Sequence, residues 1–308
     1  MVLTICPNPS IDLTVEVDSL NVGMLNRIRS KVETYSGKAL NVAKGIARLG
    51  GRAIATGFMF DAHAKLFEQA LEKENLKYEF VYNAGSARLN YKVIDKRSML
   101  TEINDKGETV QRIKQLELID LVKNYADKVS VVVMSGSLPD GVAPSFYSEV
   151  LSVFPSNVKK IVDTEKENMI AALSSGIYMA KPNLRELEAF VGESVYSKKD
   201  MVKAARKYID NGAENVLISL GADGAILTDG TESYYCKSAS VAVNSTVGAG
   251  DCMVAAACVK LEEGAAMPEI LRSSVAAGTA AITTSGTNLF YKDKYEEIYS
   301  KIFAEKIL

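Results

Sequence analysis

The feature that most constrains the fold of this chain is a repeated alternation of two kinds of segment after residue 129. Short apolar runs rich in β-branched residues, such as VSVVVM at Val129–Met134, alternate with longer segments whose apolar residues recur at helical spacing. This alternation is typical of a parallel sheet covered by helices. We therefore predict an α/β fold with a mostly parallel central sheet and helices at Pro144–Phe154, Glu167–Leu173, Leu184–Val191 and Lys198–Asn211.

Strands of a different kind occur in the first hundred residues. Ser10–Val17 and Arg88–Asp95 alternate apolar and polar residues, as antiparallel strands with one face in solvent do. We interpret them as part of a small sheet that projects as a lid, inserted at about residues 10–36 and 86–104. No linker divides the chain, so residues 1–308 are predicted to form one domain that ends in an amphipathic helix at Lys294–Ile307.

Composition excludes several classes of protein. The 36 Lys and Arg against 38 Asp and Glu lack the basic excess that binding to nucleic acid or an anionic membrane requires. The apolar runs are too short to span a membrane, and no signal peptide precedes them, so a soluble cytoplasmic protein is expected.

The four cysteines include no C-x-x-C pair and are expected to be buried and reduced. His63 is the only histidine, which excludes histidine-rich zinc sites; we predict a structural role for it in a surface helix, Ala62–Asn75.

Two stretches that contain glycine are candidates for binding an anion. NSTVGAGDCMVAA precedes a predicted helix, Cys252–Glu263, and would place free amide groups and the acid Asp251 at its N-terminus. SGKALN leads into a second predicted helix, Ala39–Leu49. Each stretch is explained equally well by an ordinary turn with a helix cap. Neither G-x-x-x-x-G-K-[ST] nor G-x-G-x-x-G occurs, which weighs against Walker-type and Rossmann sites.

Taken together, the ordered motifs resemble one family. SGKALNVAKGIARLG and NSTVGAGDCMVAA are similar to the two signatures of the ribokinase-like (PfkB) carbohydrate kinases, and the likeness continues through CPNPSIDLTVEV, ARLNYKV, TEIN, SGSLPDG, KPNLRELE, SLGADGAIL and SGTNL. The resemblance is greatest to the phosphosugar branch of bacterial 1-phosphofructokinases and tagatose-6-phosphate kinases. It implies a three-layer α/β/α sandwich with a projecting β-sheet lid.

The resemblance also implies a site for a sugar phosphate. Asp12 lies where the family's acid binds sugar hydroxyls, and the same sugar would contact Gly37, Lys38 and Asn41. The phosphate that the substrate already carries would meet Arg27, Arg88 and Ser137. Guanidinium groups suit such a contact because they bind phosphate through two parallel hydrogen bonds. For any single arginine, a solvated surface role is the alternative.

A site for ATP is implied by the same resemblance. Lys181 and Asn183 would face the nucleotide phosphates, and Glu186 would meet the water shell of Mg²⁺. A capping box formed by Asn183 and Glu186 is the alternative. The nucleotide would also contact Ser219, Gly221, Gly224 and Val247, although a tight hairpin would need these glycines in any case. Whether a monovalent cation takes part stays open.

In this scheme Asp251 is the general base that accepts the proton of the attacking hydroxyl, and the charge on the transferred phosphoryl group is held by the amides of Val247, Gly248, Ala249 and Gly250. The predicted reaction is ATP-dependent phosphorylation of fructose 1-phosphate to fructose 1,6-bisphosphate. The alternatives are a tagatose-6-phosphate kinase or 6-phosphofructokinase of the same family, a kinase of nucleosides or unphosphorylated sugars, and a sugar-phosphate sensor without catalysis.

Three departures from the family pattern leave the sugar's orientation and identity open. Ser36 replaces the usual first glycine of Gly-Gly-Lys, the turn at residues 61–64 reads DAHA without glycine, and DTEKENM lacks the glycine of D-x-S-G-E.

The projecting strands need either more sheet or a covering surface, because a small isolated sheet is marginal in water. Members of the family that this chain resembles often supply that surface by packing two lids face to face, so the resemblance implies a homodimer whose interface includes the lid strands.

Overall fold

The computed structural model describes residues 1–97, 99–284 and 288–308. Its strands are β1 (Val2–Cys6), β2 (Ser10–Val17), β3 (Ile28–Ser36), β4 (Ala53–Phe60), β5 (Lys77–Asn83), β6 (Arg88–Ile94), β7 (Leu100–Asn104), β8 (Val131–Ser135), β9 (Lys159–Asp163), β10 (Ile177–Ala180), β11 (Ala213–Ser219), β12 (Ala225–Thr228), β13 (Ser233–Cys236) and β14 (Ala304–Lys306). Most of them build one sheet in the order β14-β13-β12-β11-β10-β9-β8-β1-β4-β5. The pairs from β11 to β5 are parallel and those from β11 to β14 antiparallel, so the predicted mostly parallel sheet is confirmed.

Helices cover the sheet in two groups. They are α1 (Lys38–Arg48), α2 (Ala64–Glu72), α3 (Arg112–Lys123), α4 (Ser145–Leu151), α5 (Lys166–Leu173), α6 (Leu184–Val191), α7 (Lys198–Asp210), α8 (Ala249–Glu262), α9 (Met267–Ala281) and α10 (Lys292–Lys301). Helices α1, α8, α9 and α10 pack in series, and α3 to α7 pack in a second series. Strands β1 and β8 are buried along their whole length, as a sheet covered on both faces requires.

The lid is a separate four-stranded sheet with the order β3-β2-β6-β7. The predicted small projecting sheet is confirmed, and each of its two predicted strands pairs with an antiparallel outer neighbour, β2 with β3 and β6 with β7. The two strands pair in parallel with each other. A parallel pair needs a long crossover. Here the chain between β2 and β6 runs through β3, α1, β4, α2 and β5, which supplies it.

The end of the chain also differs from its prediction. The helix expected at Lys294–Ile307 ends at Lys301, and β14 follows it and pairs with β13. This pairing satisfies backbone groups of β13 that would otherwise form an open sheet edge. The helical spacing of apolar residues could not reveal that edge, because β13 lies about 70 residues earlier in the sequence.

Smaller predictions have mixed outcomes. All four cysteines are free and buried, as predicted. His63 lies just before α2, at its N-cap, instead of within the helix. The motif SGTNL falls partly on residues 285–287, which lie outside the described residues. None of the described helices combines the length and apolar character that crossing a bilayer demands.

Candidate active site

A cavity of about 560 Å³ lies between the lid and the carboxyl ends of the parallel strands. It brings together most of the residues singled out in the sequence: Asp12, Gly37, Lys38, Asn41, Arg88, Ser137, Lys181, Asn183, Glu186, Ser219, Val247, Gly248, Gly250 and Asp251. The carboxyl ends of parallel strands are where α/β proteins place their ligand sites, since the loops that follow the strands converge there.

A second cavity of about 300 Å³ adjoins the first and shares Asn183, Ser219 and Gly250 with it. Its lining includes the predicted residues Gly221, Gly224 and Ala249, together with apolar side chains such as Met253 and Ile282. Arg27 is not among the residues that line either cavity; it is exposed in the segment between β2 and β3. The sequence analysis predicted Arg27 as a ligand of the substrate's phosphate, but the described part of a single chain does not bring Arg27 into either cavity.

Asp251 lies in the first turn of α8 and is 6% exposed. The pKa of this carboxyl is raised from 3.8 to about 6, mainly because the group is buried; Lys38 opposes the shift and Asp163 adds to it. Asn41 donates a hydrogen bond of 2.9 Å from Nδ2 to Asp251 Oδ2. The hydroxyl of Ser36 lies 3.2 Å from Asn41 Oδ1 and donates to it, which fixes the orientation of the amide. A buried carboxylate with a pKa near neutrality is suited to accept a proton.

The backbone before Asp251 forms an anion site. Gly248 is the N-cap of α8 with a φ of +79°, a conformation that favours glycine. Among the described residues, the amides of Gly248, Ala249 and Gly250 have no acceptor, as expected for a helix N-terminus. The amide of Val247 is already used, because it donates to Ser245 Oγ over 3.3 Å. Three free amides therefore meet at the positive end of the helix dipole.

Asp163 is a site residue that the sequence reasoning missed. It ends β9, is 1% exposed, and its Oδ1 accepts from Lys38 Nζ at 3.2 Å and lies 3.4 Å from Lys181 Nζ. Burial raises the pKa of Asp163, but the two lysines outweigh burial and hold the pKa below its ordinary value. Burial likewise lowers the pKa of Lys38, and Asp163, Asp251 and Glu186 together reverse that effect and raise it. The signal was present in the sequence as an acid at the end of the apolar run KKIVDT.

Glu186 forms the capping box that the sequence offered as an alternative, and its predicted role toward Mg²⁺ stays a prediction. It forms a capping box with Asn183, with N···O distances of 2.8 and 2.9 Å, and it also lines the cavity. A Mg²⁺ ion fits here, because the buried Oδ2 of Asp163 has no partner among the described residues. No group of three or more His, Cys, Asp or Glu able to hold a metal occurs in the described part of the chain. Magnesium needs none, since it keeps several waters and binds phosphate oxygens.

On the lid, alternate residues of β6 face the cavity: Arg88, Asn90 and Lys92. Lys92 Nζ donates to Asp12 Oδ2 over 2.8 Å, and both side chains are at least nine-tenths buried. Asn90 and Lys92 were not identified from the sequence. The two-residue spacing from Arg88 is the signal that would have found them.

Arg88 and Ser137 are linked through one residue of the loop after β1. Arg88 Nε donates to the carbonyl of Asn8 over 3.4 Å, and Asn8 Nδ2 lies 3.4 Å from Ser137 Oγ. The predicted phosphate ligands from the lid and the body therefore lie at the same end of the cavity. A guanidinium and a hydroxyl there are suited to a phosphate that is bound but not transferred.

Comparisons with known proteins agree with this geometry. Residues 6–294 match the sequence profile of the pfkB family carbohydrate kinases. The chain is 29% identical to the 1-phosphofructokinase of Vibrio cholerae, over 98% of this chain and 95% of that protein, and 31% identical to the D-tagatose-1-phosphate kinase of Bacillus licheniformis, over 93% and 94%. The crystal structure of phosphofructokinase-2 from Escherichia coli in complex with potassium superposes with a TM-score of 0.90 at 31% identity, over 97% of this chain and 98% of that one.

Proposed function

We propose, since this chain belongs to the pfkB family of carbohydrate kinases, that it transfers the γ-phosphoryl group of ATP to a hydroxyl of a ketohexose monophosphate. The observation that carries the proposal is the presence of Asp251 and the free amides of α8 in one cavity that Arg88 also lines, from the lid. The body thus supplies groups suited to proton removal, and the lid supplies a group suited to an existing phosphate.

The chain's own residues account for the steps of the transfer. Asp251 accepts the proton as the sugar hydroxyl oxygen bonds to the γ-phosphorus, while the bond from that phosphorus to the bridging oxygen breaks and ADP leaves. The amides of Gly248, Ala249 and Gly250 donate to the transferred group, and Lys38 and Lys181 add positive charge beside it. Phosphoryl transfer needs mainly positioning and neutralisation of charge, which this set supplies.

Mg²⁺ would be held between Asp163 and Glu186 through water, and bound there it would neutralise charge on the nucleotide phosphates. The base of the nucleotide would occupy the second cavity, which Gly221 and Gly224 border and whose walls are largely apolar. Whether K⁺ or another monovalent cation is needed is tested by exchanging the salt in the assay.

Fructose 1-phosphate is the substrate that we propose first, with fructose 1,6-bisphosphate as product. The two named relatives act, by their names, on ketohexose 1-phosphates, and Arg88 and Ser137 supply a phosphate site in this chain. Tagatose 1-phosphate is the closest alternative, because it differs from fructose 1-phosphate only in the inverted hydroxyl at C4. Tagatose 6-phosphate is the next alternative, because it also presents one phosphate and one free primary hydroxyl, although at exchanged ends of the sugar.

Initial rates with ATP and Mg²⁺ test this proposal. The substrates are fructose 1-phosphate, fructose 6-phosphate, tagatose 1-phosphate, tagatose 6-phosphate, fructose and ribose. We expect the highest kcat/KM with fructose 1-phosphate and the lowest with the two unphosphorylated sugars. Equal turnover of fructose and fructose 1-phosphate would contradict the phosphate site, and no turnover of any sugar would favour a sensor.

We also propose a homodimer in which the lids of two copies pack together. The described lid exposes many large apolar side chains: Val22, Met24, Leu25, Ile28, Val32, Tyr91, Met99, Leu100 and Ile103. Exposed apolar surface of this extent on a small sheet is typical of an interface. A second copy would cover it and close the cavity against water.

A further inference from the structure

The carboxylate of Asp12 is largely occupied by its own chain. Its Oδ1 accepts from Ser10 Oγ at 3.0 Å and from Asn90 Nδ2 at 3.0 Å, and its Oδ2 accepts from Lys92 Nζ at 2.8 Å. A carboxylate offers about four acceptor positions, so three of them are already filled. Asp12 therefore has little remaining capacity for the hydroxyls of a sugar.

Asn90 has the capacity that Asp12 lacks. Its Oδ1 is buried and has no partner among the described residues, and the side chain, 7% exposed, lines the catalytic cavity. The amide cannot be turned over, because that would place Oδ1 against the Asp12 carboxylate, where Nδ2 now donates. A buried acceptor without a donor costs free energy, and a hydroxyl entering the cavity would remove that cost.

We propose that Asn90 is a specificity-determining residue whose Oδ1 accepts a hydrogen bond from a hydroxyl of the sugar phosphate, while Asp12 and Lys92 hold its amide in the accepting orientation. This inference rests on the proposed kinase function. Asn90 follows Arg88 by two residues on the same face of β6, which separates their Cα atoms by roughly 7 Å. With the existing phosphate at Arg88, Asn90 faces the middle of the sugar, so the hydroxyl is the one on C3 or C4.

The test compares Asn90→Ala with a control, Asn124→Ala. Asn124 is an exposed asparagine at the end of α3 and lines neither cavity. We expect Asn90→Ala to raise KM for fructose 1-phosphate roughly 5- to 50-fold, with KM for ATP changed less than about twofold. We expect Asn124→Ala to change neither constant by more than about twofold.

Deoxy substrates identify the bond. The wild-type protein should lose affinity for either 3-deoxy- or 4-deoxyfructose 1-phosphate, and Asn90→Ala should lose nothing further with that same analogue. The inference is overturned if KM for fructose 1-phosphate is unchanged in Asn90→Ala. It is also overturned if each deoxy substitution costs the variant as much as it costs the wild type.

Calorimetric titration with fructose 1-phosphate separates this inference from the function on which it rests. If the wild type binds the sugar phosphate without turnover, the kinase proposal fails, and the affinity ratio between wild type and Asn90→Ala still tests the hydrogen bond. Asn90→Ser, which keeps a smaller acceptor, replaces the alanine variant if the latter does not fold. The affinity of Asn90→Ser for fructose 1-phosphate should be lower than that of the wild type and higher than that of Asn90→Leu, which has no acceptor. An affinity equal to that of Asn90→Leu would contradict the proposal.

Discussion

The body and the lid hold the two ends of the same cavity, yet they are stabilised very differently. The body has a continuous apolar core that runs through the large sheet and both groups of helices. The lid's own apolar cluster consists of Val15, Val17 and Val93, with Leu13 and Leu20 packed against it. A cluster of this size gives a sheet little independent stability.

This difference assigns separate tasks to the two regions. The body carries Asp251, Asp163 and the free amides of α8, which must hold their positions throughout the reaction. The lid carries Arg88 and Asn90, which we propose contact the sugar phosphate. Changes in the body should therefore act mainly on kcat, and changes in the lid mainly on KM for the sugar phosphate.

Asp251→Asn should have the largest effect of all. A general base typically contributes about 10²- to 10⁴-fold, so kcat should fall by that factor while KM for the sugar phosphate changes little. The melting temperature at pH 7.5 should rise. The pKa of Asp251 in the folded protein, about 6, lies above the ordinary 3.8, so folding favours the protonated carboxyl. Ionisation of Asp251 therefore lowers the free energy of unfolding progressively as the pH rises from 3.8 to 6, and the full loss is present above pH 6. Steady-state kinetics and calorimetry measure the two changes.

The pH profile of the wild type is the control for this result. Because the base must be ionised, kcat should fall as the pH drops through about 6. Near-normal turnover in Asp251→Asn, or a wild-type kcat that is constant from pH 5 to 8, would remove Asp251 from the role of base.

Arg88→Ala should have the next largest effect, and it tests the lid. Loss of a charged contact to a phosphate that is not transferred should raise KM for the sugar phosphate roughly 10- to 100-fold, with a smaller change in KM for ATP. Arg88→Lys should restore only part of the affinity for the sugar phosphate that Arg88→Ala loses, because an ammonium group cannot make the two parallel hydrogen bonds of a guanidinium group. Kinetics with each substrate varied in turn measure these constants.

Arg27→Ala is the comparison for Arg88→Ala. Arg27 is exposed and lines neither cavity, so its loss should leave both KM values nearly unchanged in a monomer. An equally large rise in KM for the sugar phosphate would show instead that a movement of the lid, or the lid of a second copy, carries Arg27 to the phosphate.

The smallest kinetic effect is expected from the surface of the lid. Ile103→Asp should shift the protein toward the monomer in sedimentation at micromolar concentration, because it places a charge in the proposed interface. Ile113→Asp on α3 is its control, since both isoleucines are 59% exposed.

Hydrogen exchange tests whether the lid closes. Sugar phosphate should slow hydrogen exchange in residues 10–17 and 88–95. A monomeric wild type whose exchange there does not respond to sugar phosphate would contradict both the dimer and the closing lid.

Local signals in the sequence predicted the structure well, and signals that depend on pairing did not. The bounds of Leu184–Val191 were predicted correctly because a capping box at Asn183 begins this helix and Gly192 ends it. The parallel pairing of β2 with β6 and the addition of β14 to β13 depend on segments far apart in the chain. No local pattern reports such contacts.

The candidate site divides in the same way. The glycine stretch before Asp251 predicted the free amides at the start of α8, because helix N-termini have a local pattern. Asp163 and Asn90 escaped notice because their importance lies in what surrounds them: two lysines around the first, and a carboxylate that orients the second. Their partners come from other strands and helices, so only the folded chain shows them.

The shared border of the two cavities has a consequence for inhibitor design. A polar cavity of about 560 Å³ meets a largely apolar one of about 300 Å³ at Gly250, where no side chain stands in the way. One molecule with a phosphosugar-like half and an aromatic half could fill both, and the second half would bind at the high effective concentration set by its linker. A methyl group at position 250 would lie 3.3 Å from Lys181 Nζ, so Gly250→Ala would displace the end of the lysine that we propose contacts the nucleotide phosphates. A mutation that blocks such an inhibitor at this border therefore also acts on a group proposed to serve the reaction.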